Sequence, residues 1–325
     1  MPLRVLVIAD DANRGLLDDI LPLPEGFEGT TVRERDRAAA EAAVRGADIL
    51  VARRAPAWLV SRAPRLRLLA VYGGGTDDVA YDALPAACLV AESRGYEASV
   101  AEHAIGLMLA LTQNLPAAER ATRRGCRLPG DAGLVPSMEL AGRTVGIIGF
   151  GRIGREIARR LAPFDCDILA LRRQADGYVK ELMGLMELGG IDFLDTLLRA
   201  ADVLVVTLPI GPETRGLIGA REMALVKPGA FLVNMSRAAV VDETALFTAL
   251  TSGALRGAAL DVSYDEEAVD SPTAHRPLDR LGNVILTPRI GAHSDSAIRR
   301  GREGLREILA AFAAGREPAG VVARA

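Results

Sequence analysis

Thr144-Val-Gly-Ile-Ile-Gly149-Phe-Gly151-Arg-Ile-Gly154-Arg-Glu-Ile-Ala158 is the stretch that decides the fold, because an apolar run meets three glycines and then a helical pattern. Gly149 suits a tight turn, Gly151 lets backbone amides approach a pyrophosphate, and Gly154 lets the helix pack close to the strand. The partial positive charge of the helix N-terminus favours phosphate. The alternative is a glycine-rich turn of an α/β domain without a ligand. The residues predicted to contact a dinucleotide here are Gly149, Gly151, Arg152, Ile153 and Gly154.

Composition limits the kind of protein. With 325 residues, half of them hydrophobic and 25% charged, the chain is long enough for two domains with sizeable cores. A net charge of −3 with no basic block argues against nucleic acid as a partner. No signal peptide and no membrane-spanning run stand out. Cys88, Cys126 and Cys166 lack metal-like spacing, so we expect reduced thiols, no metal site and a cytoplasmic protein.

Short apolar runs alternate with helical patterns along the whole chain, which predicts α/β architecture with parallel sheets. We expect two doubly wound domains, one of them a Rossmann dinucleotide-binding domain over residues 99–291. The other, flavodoxin-like and carrying the substrate site, is expected over residues 1–98 and 292–325. Strands are predicted at 4–9, 49–52, 68–72, 88–91, 144–148, 167–171, 203–207, 231–235, 258–261 and 284–286.

Several further segments stand in a fixed order around the glycine stretch, and together they carry a resemblance. They are Val71-Tyr-Gly-Gly-Gly-Thr-Asp77, Ser99-Val-Ala-Glu-His103, Thr207-Leu-Pro-Ile-Gly-Pro-Glu-Thr-Arg-Gly216, Val233-Asn-Met-Ser-Arg237, Ala258-Ala-Leu-Asp-Val262 and Asn283-Val-Ile-Leu-Thr-Pro288. Over nearly its whole length the chain resembles the D-isomer-specific 2-hydroxyacid dehydrogenases. That family includes glyoxylate and hydroxypyruvate reductases, phosphoglycerate dehydrogenases, and formate and phosphite dehydrogenases.

The resemblance implies substrate contacts. Arg237 matches the arginine that grips the substrate carboxylate and polarises the carbonyl that accepts hydride. Gly74 and Gly75 match the loop whose backbone amides hold that carboxylate, although a plain turn is the alternative. Arg53, directly after a predicted strand, is a second candidate for an anion contact.

The resemblance also implies cofactor contacts beyond the glycines. Asp261 ends its strand where family members hold the nicotinamide carboxamide, with a structural cap as the alternative. Pro209 and Thr214 belong to a loop that resembles the one lining the far side of the cofactor. His103 lies on an apolar helical stretch, where we expect a structural role.

Cofactor choice is read after the second strand of the nucleotide fold, where NAD-preferring proteins carry an acid for the ribose 2′-hydroxyl. Here the chain reads Leu169-Ala-Leu-Arg172-Arg173-Gln174, without a carboxylate. Arg172 and Arg173 would suit a 2′-phosphate instead. We therefore expect NADP, with NAD as the alternative.

One departure from the family pattern concerns the proton donor. The family glutamate is present as Glu266, but the histidine expected after Thr287-Pro288 is replaced by Arg289. In the family, the carboxylate orients an imidazolium that protonates the carbonyl oxygen. A guanidinium stays protonated at neutral pH, so Arg289 can pair with Glu266 but cannot exchange a proton.

Three explanations for this departure stay open. His293, just before a helix N-cap expected at Ser294 or Ser296, supplies the proton, or it is an ordinary loop histidine. A second arginine suits a dianionic substrate such as a phosphonate or dicarboxylate, or a hydride donor whose oxidation needs little proton relay. Alternatively, the protein binds nucleotide with little or no turnover, as a sensor.

The sequence thus predicts an oxidoreductase that moves hydride between NADP(H) or NAD(H) and a small anionic 2-hydroxy or 2-oxo acid or related compound. Catalysis is assigned to Arg237, Glu266, Arg289 and, as a candidate, His293. The resemblance also implies a homodimer formed through the segment around residues 99–140.

Overall fold

The computed structural model describes residues 2–9, 23, 25–173, 184–264 and 276–324. Two compact units are present, the first formed by Met1–Tyr96 with Ala292–Ala325 and the second by Glu97–Gly291. The prediction of two α/β domains with parallel sheets is confirmed by the two sheets described below. Among the described residues, no helix is both long and apolar enough to cross a bilayer.

The first unit contains a six-stranded sheet in the order β13-β5-β4-β3-β1-β2. Its five N-terminal strands follow the doubly wound order 2-1-3-4-5 and pair in parallel, whereas β13 pairs antiparallel with β5 at one edge. The strands are β1 (Leu3–Ala9), β2 (Phe27–Arg33), β3 (Ile49–Ala52), β4 (Leu68–Val71), β5 (Leu89–Glu92) and β13 (Val321–Arg324). The helices are α1 (Arg37–Val44), α2 (Ala57–Val60) and α9 (Asp295–Ala313).

The second unit contains a seven-stranded parallel sheet in the order β12-β11-β10-β9-β6-β7-β8. Read from β6, this is the Rossmann order 3-2-1-4-5-6 with one further strand, and the order reverses between β6 and β9. The strands are β6 (Thr144–Ile148), β7 (Asp167–Leu171), β8 (Leu185–Gly189), β9 (Val203–Val206), β10 (Ala230–Asn234), β11 (Leu255–Leu260) and β12 (Val284–Leu286). The helices are α3 (Glu97–Thr112), α4 (Leu115–Arg123), α5 (Arg152–Leu161), α6 (Leu194–Ala200), α7 (Ala220–Met223) and α8 (Glu243–Ser252).

The central strands are apolar without alternation because both faces of a parallel sheet are covered. Every residue of β3, β4, β9 and β10 is buried. This pattern places polar side chains just past the strand ends. At the carboxyl edge of the second unit, the segments after β6, β7, β9, β10, β11 and β12 carry most of the predicted site residues.

Candidate functional site

The glycine turn after β6 has the close packing that its sequence predicts. Gly149 has φ +111°, and an added Cβ would lie 2.8 Å from the Thr207 carbonyl carbon. At Gly154 an added Cβ would lie 2.5 Å from the Gly149 carbonyl oxygen. The Thr207 hydroxyl donates to that same oxygen at 2.7 Å. Glycine is therefore required at both positions, and the turn is fixed at the reversal of strand order, where such folds bind ligands.

Gly151 differs from Gly149 and Gly154, because no neighbouring atoms are packed against the position of its missing side chain. It is the N-cap of α5, it offers no side chain for capping, and an added Cβ would meet nothing within 4 Å. The first amides of a helix have no partner within the helix. This space suits a pyrophosphate, and binding by the amides of Arg152 and Ile153 stays a prediction. The Arg152 guanidinium Nε lies 3.1 Å from Glu97 Oε1, so the expected contribution of Arg152 is its backbone amide.

The second strand of this unit, β7, ends beside the glycine turn, since the amides of Gly149 and Phe150 both donate to the Leu171 carbonyl oxygen. Arg172 and Arg173 follow directly, half-buried and exposed respectively. These arginines therefore occupy the position from which Rossmann folds read the adenosine ribose. Gln174 lies outside the described residues.

The loop after β9 is held by one hydroxyl. Thr214 Oγ1 donates to the Pro209 carbonyl oxygen at 2.7 Å and accepts from the Gly211 amide at 2.8 Å. Pro209 and Thr214 are thereby parts of one closed turn next to Thr207, which contacts the glycine turn. The turn keeps both residues at the carboxyl edge of the sheet.

Arg237 follows β10, and the side chain of Asn234 holds the backbone there through three hydrogen bonds, which we call the Asn234 bracket. The fully buried Asn234 side chain accepts from the Ser236 amide (3.0 Å) and hydroxyl (2.9 Å) through Oδ1, and donates through Nδ2 to the Arg237 carbonyl oxygen (3.1 Å). The Arg237 Nη1 donates to the Ser236 carbonyl oxygen at 2.9 Å. Strand end and bracket together fix the backbone from which this guanidinium extends.

Asp261, after β11, is engaged by the segment 287–291. Its carboxylate accepts from the Thr287 hydroxyl (2.7 Å) and from the amides of Ile290 (2.9 Å) and Gly291 (2.8 Å), and His103 Nε2 lies 3.6 Å from Oδ1. Burial would raise the pKa of Asp261. The hydrogen bonds from His103, Thr287, Gly291 and Ile290 outweigh burial and hold the pKa below its usual value. These contacts match the structural-cap alternative, while nicotinamide binding by Asp261 stays a prediction.

Arg289 stands in the middle of that segment with a left-handed backbone, φ +55°. Its amide donates to the Thr287 carbonyl oxygen at 3.0 Å, and its side chain is half-buried. Its expected partner, Glu266, lies outside the described residues. His293 belongs to the first unit, where it is exposed and precedes Ser294. Ser294 is the N-cap of α9, which confirms one of the two caps expected from the sequence.

The residues of the first unit that are predicted to contact an anion follow two neighbouring strands, β3 and β4, at the same edge of the sheet. Gly73, Gly74 and Gly75 follow β4 with φ between +82° and +113°, and a Cβ added at Gly73 would lie 3.8 Å from Arg53 Cδ. The structure thus places Arg53 beside this glycine turn. The Gly75 amide donates to Glu92 Oε1 at 3.1 Å. A substrate would have to replace that bond to use Gly75, so the role of Gly75 stays a prediction.

Two residues of these sites were missed by reasoning from the sequence, and the contact partner of a third, His103, was not predicted. Asn234 forms the bracket of Arg237, and Glu92 holds the Gly75 turn. His103 contacts Thr287, 184 positions away in the chain. Glu92 and Asn234 could have been found as polar residues at the ends of apolar strands.

Comparison with known proteins identifies the family. The model of the D-isomer specific 2-hydroxyacid dehydrogenase NAD binding domain matches residues 105–291. The chain belongs to the D-isomer-specific 2-hydroxyacid dehydrogenase family. It contains the nicotinamide-dinucleotide domain of that family, which accords with NAD or NADP as cofactor.

Relatives of this chain include D-3-phosphoglycerate dehydrogenase of Mycobacterium tuberculosis, which is 36% identical over an alignment of 322 residues that covers 97% of this chain. The chain spans 58% of the length of that relative. Glyoxylate reductase of Thermococcus litoralis is 36% identical over 274 residues, which cover 81% of this chain and 79% of the relative.

Among solved structures, an NADPH-dependent glyoxylate/hydroxypyruvate reductase of Sinorhizobium meliloti in complex with NADP and malonate has a TM-score of 0.82 and 29% identity. The similarity covers 99% of this chain and 97% of that one. A Thermus thermophilus protein of 28% identity has a TM-score of 0.80 and covers 99% of this chain.

The Asp261 contacts predict a pH-dependent stability. Because the pKa of Asp261 is lowered by folding, its contribution is fully present above the pKa of an unfolded aspartate and is lost as the pH falls through the folded pKa. At pH 7 we expect Asp261→Asn to lower the free energy of unfolding by about 2–4 kcal/mol, since the new amide group cannot accept from Gly291. Urea unfolding of both proteins should show this difference shrinking below about pH 4. A constant difference down to the acid limit would contradict the assignment.

Proposed function

We propose that this chain is an NAD(P)(H)-dependent oxidoreductase acting on a small anionic 2-hydroxy or 2-oxo acid or a related compound. One observation carries the proposal: a single sheet edge of the second unit presents the glycine turn, Arg237 and the Arg289 segment. A dinucleotide site and two cationic side chains at one edge suit hydride transfer to an anionic substrate.

Arg237 is the residue proposed to hold the substrate carboxylate. Its planar guanidinium can bind a carboxylate through two parallel hydrogen bonds and can also stabilise negative charge on the adjacent carbonyl oxygen. The Asn234 bracket limits backbone movement at Arg237. Arg53, Gly74 and Gly75 are proposed as further anion contacts.

When bound, the reduced nicotinamide would supply the hydride that the carbonyl carbon accepts. Arg237 then stabilises the developing alkoxide, which needs one proton to become the hydroxyl group. Arg289 cannot give that proton, because a guanidinium does not deprotonate in this range. We assign the proton to His293 or to water, and we assign Arg289 to the stabilisation of anionic charge on the substrate.

The second arginine also bears on the substrate. A monoanionic 2-oxoacid needs one cationic grip, and Arg237 supplies it. Arg289 would favour a second anionic group, so a dicarboxylate or a phosphonate is proposed ahead of glyoxylate. The solved structure of the Sinorhizobium meliloti relative contains malonate, which is a dicarboxylate.

For the cofactor we propose a preference for NADPH, carried by Arg172 and Arg173. Changing both to glutamine should weaken NADPH binding about 10–100-fold, since hydrogen bonds to a charged group contribute about 1.5–3 kcal/mol. The affinity for NADH should stay within about twofold. Titration of the intrinsic nicotinamide fluorescence measures both affinities, and Arg199→Gln, an exposed arginine of α6, serves as the charge control. Equal affinities of the unmodified protein for both cofactors would defeat the proposal.

A second candidate is a nucleotide-binding protein with little or no turnover. The observation that favours it is Arg289 itself, since loss of a general acid costs about 10²–10⁴-fold in rate. Assays of NADPH oxidation with a panel of mono- and dicarboxylic 2-oxoacids decide between the two. Tight NADPH binding without turnover of any panel member would support the second candidate and overturn the first.

We also propose a homodimer formed through the segment 99–140 and a cytoplasmic location. Within the segment, Leu115, Leu128 and Val135 are 54%, 66% and 58% exposed, and a partner surface would cover these apolar side chains. Cys88, Cys126 and Cys166 are all free thiols, as is usual in reducing compartments.

A further inference from the structure

Two side chains on one face of α3 contact the two ends of the segment 287–291, which carries Arg289. Ser99 Oγ donates to the Gly291 carbonyl oxygen at 2.7 Å, and His103 Nε2 lies 3.2 Å from Thr287 Oγ1. Positions four apart in a helix stand on the same face, so one turn of α3 reaches both ends of the segment. Neither contact belongs to the substrate or cofactor roles proposed above.

The side chains around Gly291 are closely packed. A Cβ added there would lie 2.8 Å from Asp261 Oδ2, 3.0 Å from Met235 Cε and 3.5 Å from His103 Cδ2. Only a glycine brings the chain this near to the carboxylate, the thioether and the imidazole together. The segment therefore has little freedom to shift without breaking the contacts of Asp261 or of His103.

The hydrogen bonds define which nitrogen of His103 carries a proton. An ionised Asp261 can only accept, so the single proton of the Thr287 hydroxyl goes to its Oδ1 at 2.7 Å. Thr287 Oγ1 then has only lone pairs for the imidazole 3.2 Å away. His103 must donate through Nε2, and it does so to Thr287 with Asp261 Oδ1 close behind at 3.6 Å.

We propose that His103 is a positioning residue, whose Nε2–H orients Thr287 and Asp261 and thereby fixes the backbone from which Arg289 meets the substrate. The positioning role toward substrate rests on the proposed function. The orienting contact with the segment does not, and it can be measured without turnover. Three side chains from distant parts of the sequence form this chain of hydrogen bonds, in the order His103, Thr287, Asp261.

The first test is a spectroscopic signature. The chain has three histidines, so a long-range ¹H–¹⁵N spectrum of the imidazoles is simple, and His103→Gln with His293→Ala assigns its signals. At neutral pH we expect the His103 ring to carry a proton on Nε2. A neutral ring protonated on Nδ1 alone would overturn the proposal, because Nε2 could then not donate to Thr287.

The second test compares two variants by hydrogen exchange. His103→Leu keeps apolar bulk without the donor, and His103→Gln places an amide donor near the position of Nε2. We expect amide exchange at Ile290 and Gly291 to rise about tenfold in His103→Leu and to return to within about threefold in His103→Gln. Glu102→Gln, exposed on the same helix and paired with Arg160, is the control. Equal exchange in all four proteins would overturn the proposal.

Turnover adds a third readout that separates this inference from the proposed function. With a dicarboxylic 2-oxoacid, His103→Leu should raise KM about tenfold while kcat changes less than threefold, and His103→Gln should restore KM. If the unmodified protein turns over no substrate, the proposed function fails while exchange and spectrum still decide on His103. If KM rises equally in both His103 variants, the positioning role is wrong and the imidazole is needed for another reason.

Discussion

Replacing Arg237 by glutamine is expected to lower kcat/KM for 2-oxoacids by about 10²–10³-fold, the loss typical of one preorganised donor at a developing oxyanion. Glutamine keeps a hydrogen-bond donor but loses both the charge and the fork that fits a carboxylate. Because Arg237 is assigned to substrate and to the alkoxide, both KM and kcat should suffer. Steady-state kinetics over a range of 2-oxoacid concentrations measure the two separately.

The Asn234 bracket makes this expectation specific. The side chain of Asn234 fixes the main chain at Ser236 and Arg237, so a change at the tip of residue 237 leaves the turn itself intact. NADPH affinity and the free energy of unfolding should therefore match those of the unmodified protein. Arg237→Lys keeps the charge without the fork, and we expect it to recover only part of the loss. If Arg237→Gln retained full kcat/KM, Arg237 would not contact the substrate.

How much of the fold the sequence predicts depends on burial. Strands Ile49–Ala52, Asp167–Leu171 and Val284–Leu286 were predicted with the bounds that the structure gives. Strands β2, β8 and β13 were missed, and each lies at an edge of its sheet. In β2 five of seven residues are exposed, so no apolar run marks the strand. Pairing with a neighbour, which the sequence does not display, creates these edge strands.

The candidate site was likewise predictable only in part. The close approach at Gly149 and Gly154 was predictable, because glycine spacing is a local signal. The contact of His103 with Thr287 and the bond from Gly75 to Glu92 join residues 184 and 17 positions apart. Nothing local encodes such pairs. An apolar helix therefore suggested only a structural histidine, whereas the fold brings that histidine to the Arg289 segment.

Arg289→His carries the largest expected gain, because it would place an acid where the family resemblance predicts one. If water is the present proton source, we expect kcat for a monoanionic 2-oxoacid to rise about 10²–10⁴-fold, the usual contribution of a general acid. If His293 already donates the proton, this gain should appear only in the double variant that also carries His293→Ala. The backbone favours the change: residue 289 has φ +55°, a conformation in which histidine is several-fold enriched among non-glycine residues. The segment should therefore accept the imidazole without refolding, held as before by Asp261. Stopped-flow or steady-state oxidation of NADPH measures the gain.

The pH profile decides whether the new imidazole is the acid. Reduction needs the imidazolium, so kcat of Arg289→His should fall as the pH rises through about 6.5 or somewhat higher, whereas a guanidinium gives no such limb. The unmodified protein provides the matching test of His293. If His293 supplies the proton, His293→Ala should remove most existing activity and Arg289→His should restore it in the double variant. If His293→Ala is silent, water is the proton source. A gain below tenfold in Arg289→His, with no pH limb, would show that the chain has reorganised its proton transfer around the arginine and that the family geometry no longer applies at this position.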